Sequence, residues 1–378
     1  MFNIKKQINL LYITSILSNL SITGAWVAIL AARGFSLVQI GFAETIFHIT
    51  SLIFEIPSGI LADVYGRKNM LLVSQIMALA GNIIMALSGG IEMVCLSMIF
   101  VALSFNFASG SGDALAYDSL KSEKQEAKYE RYASNQTIIY RIGNGISTLC
   151  AGLALFMGYR LAYLLSAVSH LITLLLTCKL TEIRIASTKK EHSEITKRKS
   201  KEKMHVLSKI LKNCGHHFTE SILFLKQNLK ATKLMFANSL VGTMDILLLF
   251  FLQAKLPEAG ISKWTLGIAL FVMELGGILG AKLILKAKKI RYRKIFMICT
   301  CIVLSGIYLE HTGIIILMVL GGILSAMADD ALQIRTDAKL QEMFSSENRA
   351  TLLSMSSFTF SVIMIVLSPL AGFFFSIW

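Results

Sequence analysis

The chain has 378 residues, 54% of them hydrophobic and 16% charged, with a formal net charge of +14. Ordinary soluble chains carry roughly 45–50% apolar and about 25% charged residues, so the composition argues against a soluble enzyme. The charge invites a nucleic-acid reading, but the lysines and arginines sit in alternate connections between long apolar runs, as membrane topology requires; no nucleic-acid partner is expected.

Crossing a hydrocarbon layer of about 30 Å takes about 20 apolar residues in a helix. Runs of that kind predict eleven spans, at 8–31, 37–62, 70–89, 93–117, 132–157, 161–179, 234–256, 264–285, 295–310, 312–332 and 350–377. The first follows Lys5 and Lys6 and ends at Ala31-Ala32, as a secretory leader would. It is longer than the roughly 7–15 apolar residues of a leader and another span follows closely, so it reads as an uncleaved helix. The fold class expected is therefore an all-α integral membrane protein.

Taken in order, the connections alternate in charge. Lys5, Lys6, Arg67, Lys68, the 121–131 loop, the central segment, the 286–294 cluster, Lys339 and Arg349 fall on one side; Arg33, Arg160, Lys255 and Lys263 fall on the other. This bias places the N-terminus in the cytoplasm and, with an odd number of spans, the C-terminus outside. The expected location is the cytoplasmic membrane.

The one long polar stretch divides the chain into an N-terminal six-helix bundle at 1–181, a basic cytoplasmic linker at 182–233, and a C-terminal bundle of five helices at 234–378. Its first part, 187–203, is lysine-rich with little to bury and reads as disordered. Phe218, Ile222, Leu225 and Leu229 recur at helical spacing among lysines, a pattern suited to an amphipathic helix on the inner leaflet. Cys214, His216 and His217 make a weak metal motif and no metal is expected. The six cysteines show no Cys-x-x-Cys spacing and read as packing residues.

The second half repeats the first faintly. A shift of 226 residues brings Gly41 onto Gly267 and Arg67-Lys68 onto Arg293-Lys294; a shift of 217 brings Asp113-Ala114-Leu115 onto Asp330-Ala331-Leu332. The latter shift carries Trp378 back to Leu161, where the sixth span starts, so a twelfth helix is expected to be missing.

Between the second and third spans the chain reads Gly59-Ile-Leu-Ala-Asp63-Val-Tyr-Gly66-Arg67-Lys68. This resembles the Gly-x-x-x-Asp-x-x-Gly-Arg-Lys signature of the major facilitator superfamily, and the helix layout on either side of a long basic loop is similar to that family across most of the chain. Gly59 is expected to permit close helix approach and Gly66 a tight turn, since neither has a Cβ. The resemblance implies that Asp63 holds the N-terminus of the eleventh helix, opened here by Ser345-Ser346-Glu347, as a latch while the cytoplasmic side is shut. It also implies two bundles rocking about a central cavity.

Three departures from the family's drug-efflux pattern stand out. The 286–294 loop lacks the aspartate and the glycines, the fourth span has Ser109-Gly110-Ser111-Gly112-Asp113 where many antiporters carry an arginine, and the fifth has Gly143 and Gly145 without a Gly-Pro run.

Ionisable residues inside spans cost at least about 2.5–3.5 kcal/mol each on insertion scales and so mark candidate sites. Glu44, Asp245 and Glu274 have no obvious base nearby and suit either proton coupling or a helix–helix contact. Asp113 and Arg141 are placed to pair across antiparallel spans, as a structural or a substrate-gated ion pair. Asp330 and Asp337, seven residues apart, share a face, with Asp329 directed elsewhere. Trp26, Phe105 and Tyr140 offer cation–π faces.

No nucleotide cradle and no nucleophile elbow occur, so neither ATP-driven transport nor enzymatic activity is expected. The expectation is a monomeric, drug-efflux-like secondary transporter that exchanges a hydrophobic or cationic compound for protons, with the proton gradient as energy source and no cofactor. Nutrient or metabolite uptake is the alternative, and a non-transporting remnant a third reading.

Overall fold

In the computed structural model the described residues are 3–183, 223, 226–287, 289–343 and 349–377; the side chains at 56, 63, 341 and 349–354 also lie outside the described set. Every regular element among them is helical. Among the described residues nine helices are long and apolar enough to cross a membrane, ten if one bent pair counts as a single span. The all-helical expectation is met, and the shortfall from eleven has local causes in the first span and in the bent fifth.

That span is two helices, α1 (Ile4–Asn19) and α2 (Trp26–Ala32), separated by a non-helical stretch. The break falls where Asn19, Ser21, Thr23 and Gly24 cluster, residues whose side chains compete for backbone hydrogen bonds or favour turns. At membrane depth the freed backbone groups need partners. Ser147 supplies two, its Oγ accepting from the Ser21 amide (2.9 Å) and donating to the Asn19 carbonyl (3.2 Å), while Ser169 Oγ donates to the Leu17 carbonyl (3.1 Å).

The next elements are α3 (Leu37–Tyr65), opened by a Ser36–Gln39 capping box, α4 (Arg67–Leu87) and α5 (Ile91–Ala108). The fourth predicted span is likewise interrupted, at Gly110 (φ 68°), before α6 (Ser111–Ser122). After a short 3-10 turn come α7 (Tyr129–Leu149) and α8 (Ala151–Met157), which meet at 46°, and then α9 (Tyr159–Thr177). The later helices are α10 (Leu229–Glu258), α11 (Lys263–Lys286), α12 (Tyr292–Glu310), α13 (Ile315–Met343) and α14 (Arg349–Ile377).

The expected linker helix and the Cys214-His216-His217 cluster lie outside the described residues, as do Ser345-Ser346-Glu347. Leu229, read as part of that surface helix, instead opens α10.

Three interfaces join the earlier helices to the later ones: α3 with α14, α7 and α8 with α11, and α2 with α10. Their tightest approaches lie at the ends remote from the basic connections. A Cβ on Gly41 would overlap the Ser368 carbonyl, one on Gly372 the Leu37 carbonyl, one on Gly152 the Lys263 carbonyl, and one on Gly267 the Leu149 carbonyl. Backbones meet there because the residue type allows it.

Near the same face Pro369, inside α14, has no amide to bond the Ile365 carbonyl, four residues earlier. Thr45 of α3 fills the gap, its Oγ1 donating to that carbonyl at 3.1 Å.

The buried core follows the same division. One apolar cluster draws on both halves, with Leu30, Ile40, Met85, Phe251, Leu266 and Met364 among its members. Towards the basic connections the clusters separate, one around Leu10, Leu115 and Tyr132, another around Met235, Leu340 and Met355. The halves are fused on one face and parted on the basic face.

Candidate functional site: a central cavity open towards the basic face

Three chambers, of 460, 610 and 250 Å³, are lined from both halves, and a fourth, of 690 Å³, is lined by residues 11–177 of the earlier half. Phe47 lines three of them and Ile246 three, so these side chains stand as walls between adjacent chambers. The 610 Å³ chamber runs to the basic-face ends of the helices, reaching Gly59, Asp337 and Leu340.

α3 brings two functional side chains to the 460 Å³ chamber one turn apart. Glu44 and His48 are both buried, and His48 Nε2 lies 3.2 Å from Glu44 Oε1. The ring packs edge-on against Phe360, and its Nδ1 has no partner. The surrounding wall is aromatic and sulfur-bearing: Trp26, Phe47, Phe250, Met85, Met98 and Met364. His170 reaches the same space, with Nδ1 2.9 Å from Gln75 Oε1; Gln75 Nε2 in turn donates to Ser18 Oγ at 3.2 Å.

The other proposed residues divide. Asp113 lines the 690 Å³ chamber at the start of α6, and Glu274 lines the 250 Å³ chamber, accepting from Thr148 Oγ1 at 2.7 Å across the α7–α11 interface. Trp26, Phe105 and Tyr140 all face the cavity. Asp245 does not; it is 4% exposed, behind the wall that its neighbour Ile246 forms. Asp330 packs against Gly277 of α11, outside the described lining.

Two expectations about charges are corrected. Asp113 and Arg141 form no ion pair among the described residues; Asp113 lines the 690 Å³ chamber with Tyr132, and Arg141 lines none of the four chambers. The Gly110 break redirects the chain just before Asp113, which a straight helix would not. Asp329, expected to point away, lines the 610 Å³ chamber beside Asp337.

The loop 59–68 is described except for the Asp63 side chain. Gly66 has φ 100°, as a tight turn requires, and ends α3. At Gly59 no close packing is made with the described residues: a Cβ there would meet none of them within 4 Å, and the position borders the 610 Å³ chamber. Arg67 Nε pairs with Asp118 Oδ2 at 3.4 Å, and Lys68 Nζ donates to the Cys178 carbonyl at 2.8 Å.

The partner missed by sequence reasoning is Glu182. Its carboxylate accepts from the Arg67 amide (3.0 Å) and the Lys68 amide (2.7 Å), capping the N-terminus of α4 where the helix dipole favours an anion.

Ionisable residues on the chamber walls are strongly biased. Six carboxylates (Glu44, Glu55, Asp113, Glu274, Asp329, Asp337) and two histidines line the space, with no lysine or arginine among the described lining residues. The whole chain has 37 basic and 23 acidic residues. The cavity therefore inverts the sign of the protein's overall charge.

Comparison with known proteins agrees with this architecture. The family model of the Major Facilitator Superfamily matches residues 8–369. An uncharacterised MFS-type transporter of Bacillus subtilis (strain 168), YxaM, is 33% identical over 86 residues, 23% of this chain and 22% of that protein, so the match spans about a fifth of its relative's length.

Among solved structures, the nucleoside transporter NupG superposes with a TM-score of 0.67 at 15% identity, covering 98% of this chain and 90% of its own. The xylose transporter XylE from E. coli, in an inward-open conformation, gives 0.65 at 13% identity, with 99% and 93% covered. A peptide transporter, POT, in complex with sulfate gives 0.66 at 14% identity, with 97% and 88% covered. Likeness at these identities speaks to fold alone.

Proposed function

This chain belongs to the Major Facilitator Superfamily, and from that premise we propose that it exports a hydrophobic organic cation across the cytoplasmic membrane in exchange for protons. The fold is that of a secondary transporter; substrate class, direction and coupling ion are the proposal. The basic face is taken as cytoplasmic, following the charge bias of the connections, with the N-terminus inside. The conformation is then inward-facing.

One observation carries the choice of cargo: six carboxylates and no lysine or arginine among the described residues of the chamber walls, in a chain of net charge +14. A cavity walled in low-dielectric material with one sign of charge concentrates the opposite ion. Trp26, Phe47, Phe250 and Phe360 beside Glu44 supply faces for an apolar body and for a cationic centre. In this reading Gly59, Asp63, Gly66, Arg67 and Lys68 form the gating loop, with Asp63 engaging α14 once the cytoplasmic side closes.

Reconstitution tests it. Proteoliposomes with an acidified lumen and the basic face outward should accumulate ethidium in the lumen, and accumulation should collapse when the pH gradient is dissipated. Equal ethidium entry into protein-free liposomes would sink the export reading.

Uptake of a polar metabolite is the second reading, favoured by the 690 Å³ chamber, whose wall carries Ser18, Gln75, Asn82, Ser104, Gln136 and Tyr140. Such side chains suit a hydroxyl-rich solute. Inhibition of ethidium flux by neutral polyols but not by other lipophilic cations would favour it.

A further inference from the structure

The 690 Å³ chamber differs from the other three in what surrounds it. Its wall is drawn from seven helices of the earlier half, α1, α3, α4, α5, α6, α7 and α9, and from no described residue of the later half. Transporters built as two bundles work by rocking one bundle against the other. A chamber walled by both bundles changes shape in that motion. One walled by a single bundle travels with it unchanged.

The wall is also pre-organised. Gln75, 7% exposed, donates from Nε2 to Ser18 Oγ at 3.2 Å and presents Oε1 to His170 Nδ1 at 2.9 Å. An amide oxygen only accepts, so Nδ1 carries the hydrogen, and in the neutral ring Nε2 is left as an acceptor. Gln136 is held in the same way, its Oε1 accepting from Ser15 and its Nε2 donating to Tyr132. Asn19 and Asn82 each commit the amide nitrogen to a backbone carbonyl one turn back, at 2.8 Å, which leaves the amide oxygen. Asp113 adds a carboxylate that joins no ion pair among the described residues.

Four acceptors, one of them charged, thus border a space whose described lining holds no lysine or arginine to serve as donor. Phe105 and Tyr140 add ring faces suited to C–H edges or a cationic centre. The volume of 690 Å³ falls within the roughly 300–1,000 Å³ of small-molecule sites. The adjoining 460 Å³ chamber shares Phe47, Asn82, Val101 and His170 with it but is otherwise richest in aromatic and methionine side chains. The two compartments suit different ligands.

We propose that the 690 Å³ chamber is a second ligand site, for a small polyhydroxylated ammonium compound that stays bound through the transport cycle and is not cargo. The ammonium centre sits against Asp113, and the hydroxyl groups donate to His170 Nε2 and the two asparagine oxygens. Entry is by way of the 610 Å³ chamber, which shares Phe47, Phe105 and Ser109 with this one. Because the wall is the same in both conformations, the ligand binds both equally and shifts neither. Its effect is to stabilise the earlier bundle by mass action. The site does not depend on which solute the protein moves.

N-methylglucamine, a hydroxyl-rich secondary ammonium ion, is the probe. Sorbitol closely matches its hydroxyl groups without the charge, and tetraethylammonium carries the charge without a donor. Calorimetric titration of the full chain in lipid nanodiscs should show saturable binding of N-methylglucamine that neither tetraethylammonium nor ethidium displaces. Asp113→Asn should weaken it about tenfold, the loss expected for one charge-assisted hydrogen bond, and leave sorbitol binding unchanged. Ala108→Leu fills this chamber without removing a polar group and should weaken both ligands, which tests the site should the Asn variant fold poorly. The unfolding temperature should rise with N-methylglucamine in the wild type and not in Ala108→Leu.

Absence of saturable N-methylglucamine binding overturns the proposal, as does binding that Asp113→Asn and Ala108→Leu both leave intact. Displacement by ethidium would mean one shared site and also overturns it. So does accumulation of N-methylglucamine inside proteoliposomes, which would make it cargo and return the chamber to the uptake reading. If the protein moves no ethidium, the export reading fails while the binding results stand by themselves.

Discussion

Gly41 and Gly267 perform the same task in opposite halves of the chain, each pressing a bare Cα against a backbone carbonyl of the other half, that of Ser368 and that of Leu149. Their counterparts Gly372 and Gly152 do so against Leu37 and Lys263, which stand 226 residues apart as Gly41 and Gly267 do. The faint internal repeat is thus a pair of matching seals on the face remote from the basic loops. Both must part for the cavity to open there.

Replacing Gly41 or Gly267 with valine should force these seals apart. Overpacking a close contact costs about 1–3 kcal/mol, and here the penalty applies only to the state in which the seal is shut. The expected outcome is a population shift towards opening on that face, read as longer distances between spin labels on the ends of α3 and α14. An unchanged distance distribution would refute the sealing role.

Thr45→Val should leave the Ile365 carbonyl without the donor that compensates for Pro369. An unsatisfied buried acceptor costs about 1–3 kcal/mol. The loss of thermal stability in detergent should shrink in a Pro369→Ala background, where the helix supplies its own amide. Equal losses in both backgrounds would show that Thr45 acts otherwise.

Gly66 and Glu182 should be coupled. Glu182→Ala removes the cap of α4, worth roughly 0.5–2 kcal/mol. Gly66→Ala meets two penalties, a backbone at φ 100° and a Glu182 carboxylate carbon 2.9 Å from the new Cβ. The cost of Gly66→Ala should therefore be smaller when Glu182 is already alanine, as a double-mutant cycle of unfolding midpoints would reveal. Strict additivity would mean that the carboxylate yields freely.

Much of this arrangement is legible in order along the chain. The all-helical membrane-spanning class, the basic face and the 59–68 loop follow from length, charge and local motif, because each is set by the bilayer or by neighbours in sequence. Gly41 and Gly267 are visible as a repeat, though their contacts are not.

What escapes is contact between distant segments. Glu182 reads as the start of a polar linker until α9 carries it to the α4 N-terminus, and Gln75 with His170 lie 95 residues apart. The broken first span escapes because its apolar length is right and the partners that make the break tolerable, Ser147 on α7 and Ser169 on α9, are distant in sequence. Glu44 and His48 are the exception: their four-residue spacing puts both on one helix face, a signal present in the sequence and overlooked among the isolated carboxylates.

Arg141 of α7 and Asp330 of α13 lie within electrostatic range of each other across the two halves, without forming an ion pair among the described residues. Opposite charges in a partly dry interface gain steeply as they approach, so this separation suits a contact made when the basic face closes and released when it opens. Arg141→Asp should then disfavour closure through repulsion, reducing ethidium accumulation, and Asp330→Arg should do the same by placing two cations together. The exchanged double variant, Arg141→Asp with Asp330→Arg, restores attraction with the signs reversed and should recover much of the lost flux. If the double variant is no better than the worse single one, the two residues act independently and the charge pair is no gate.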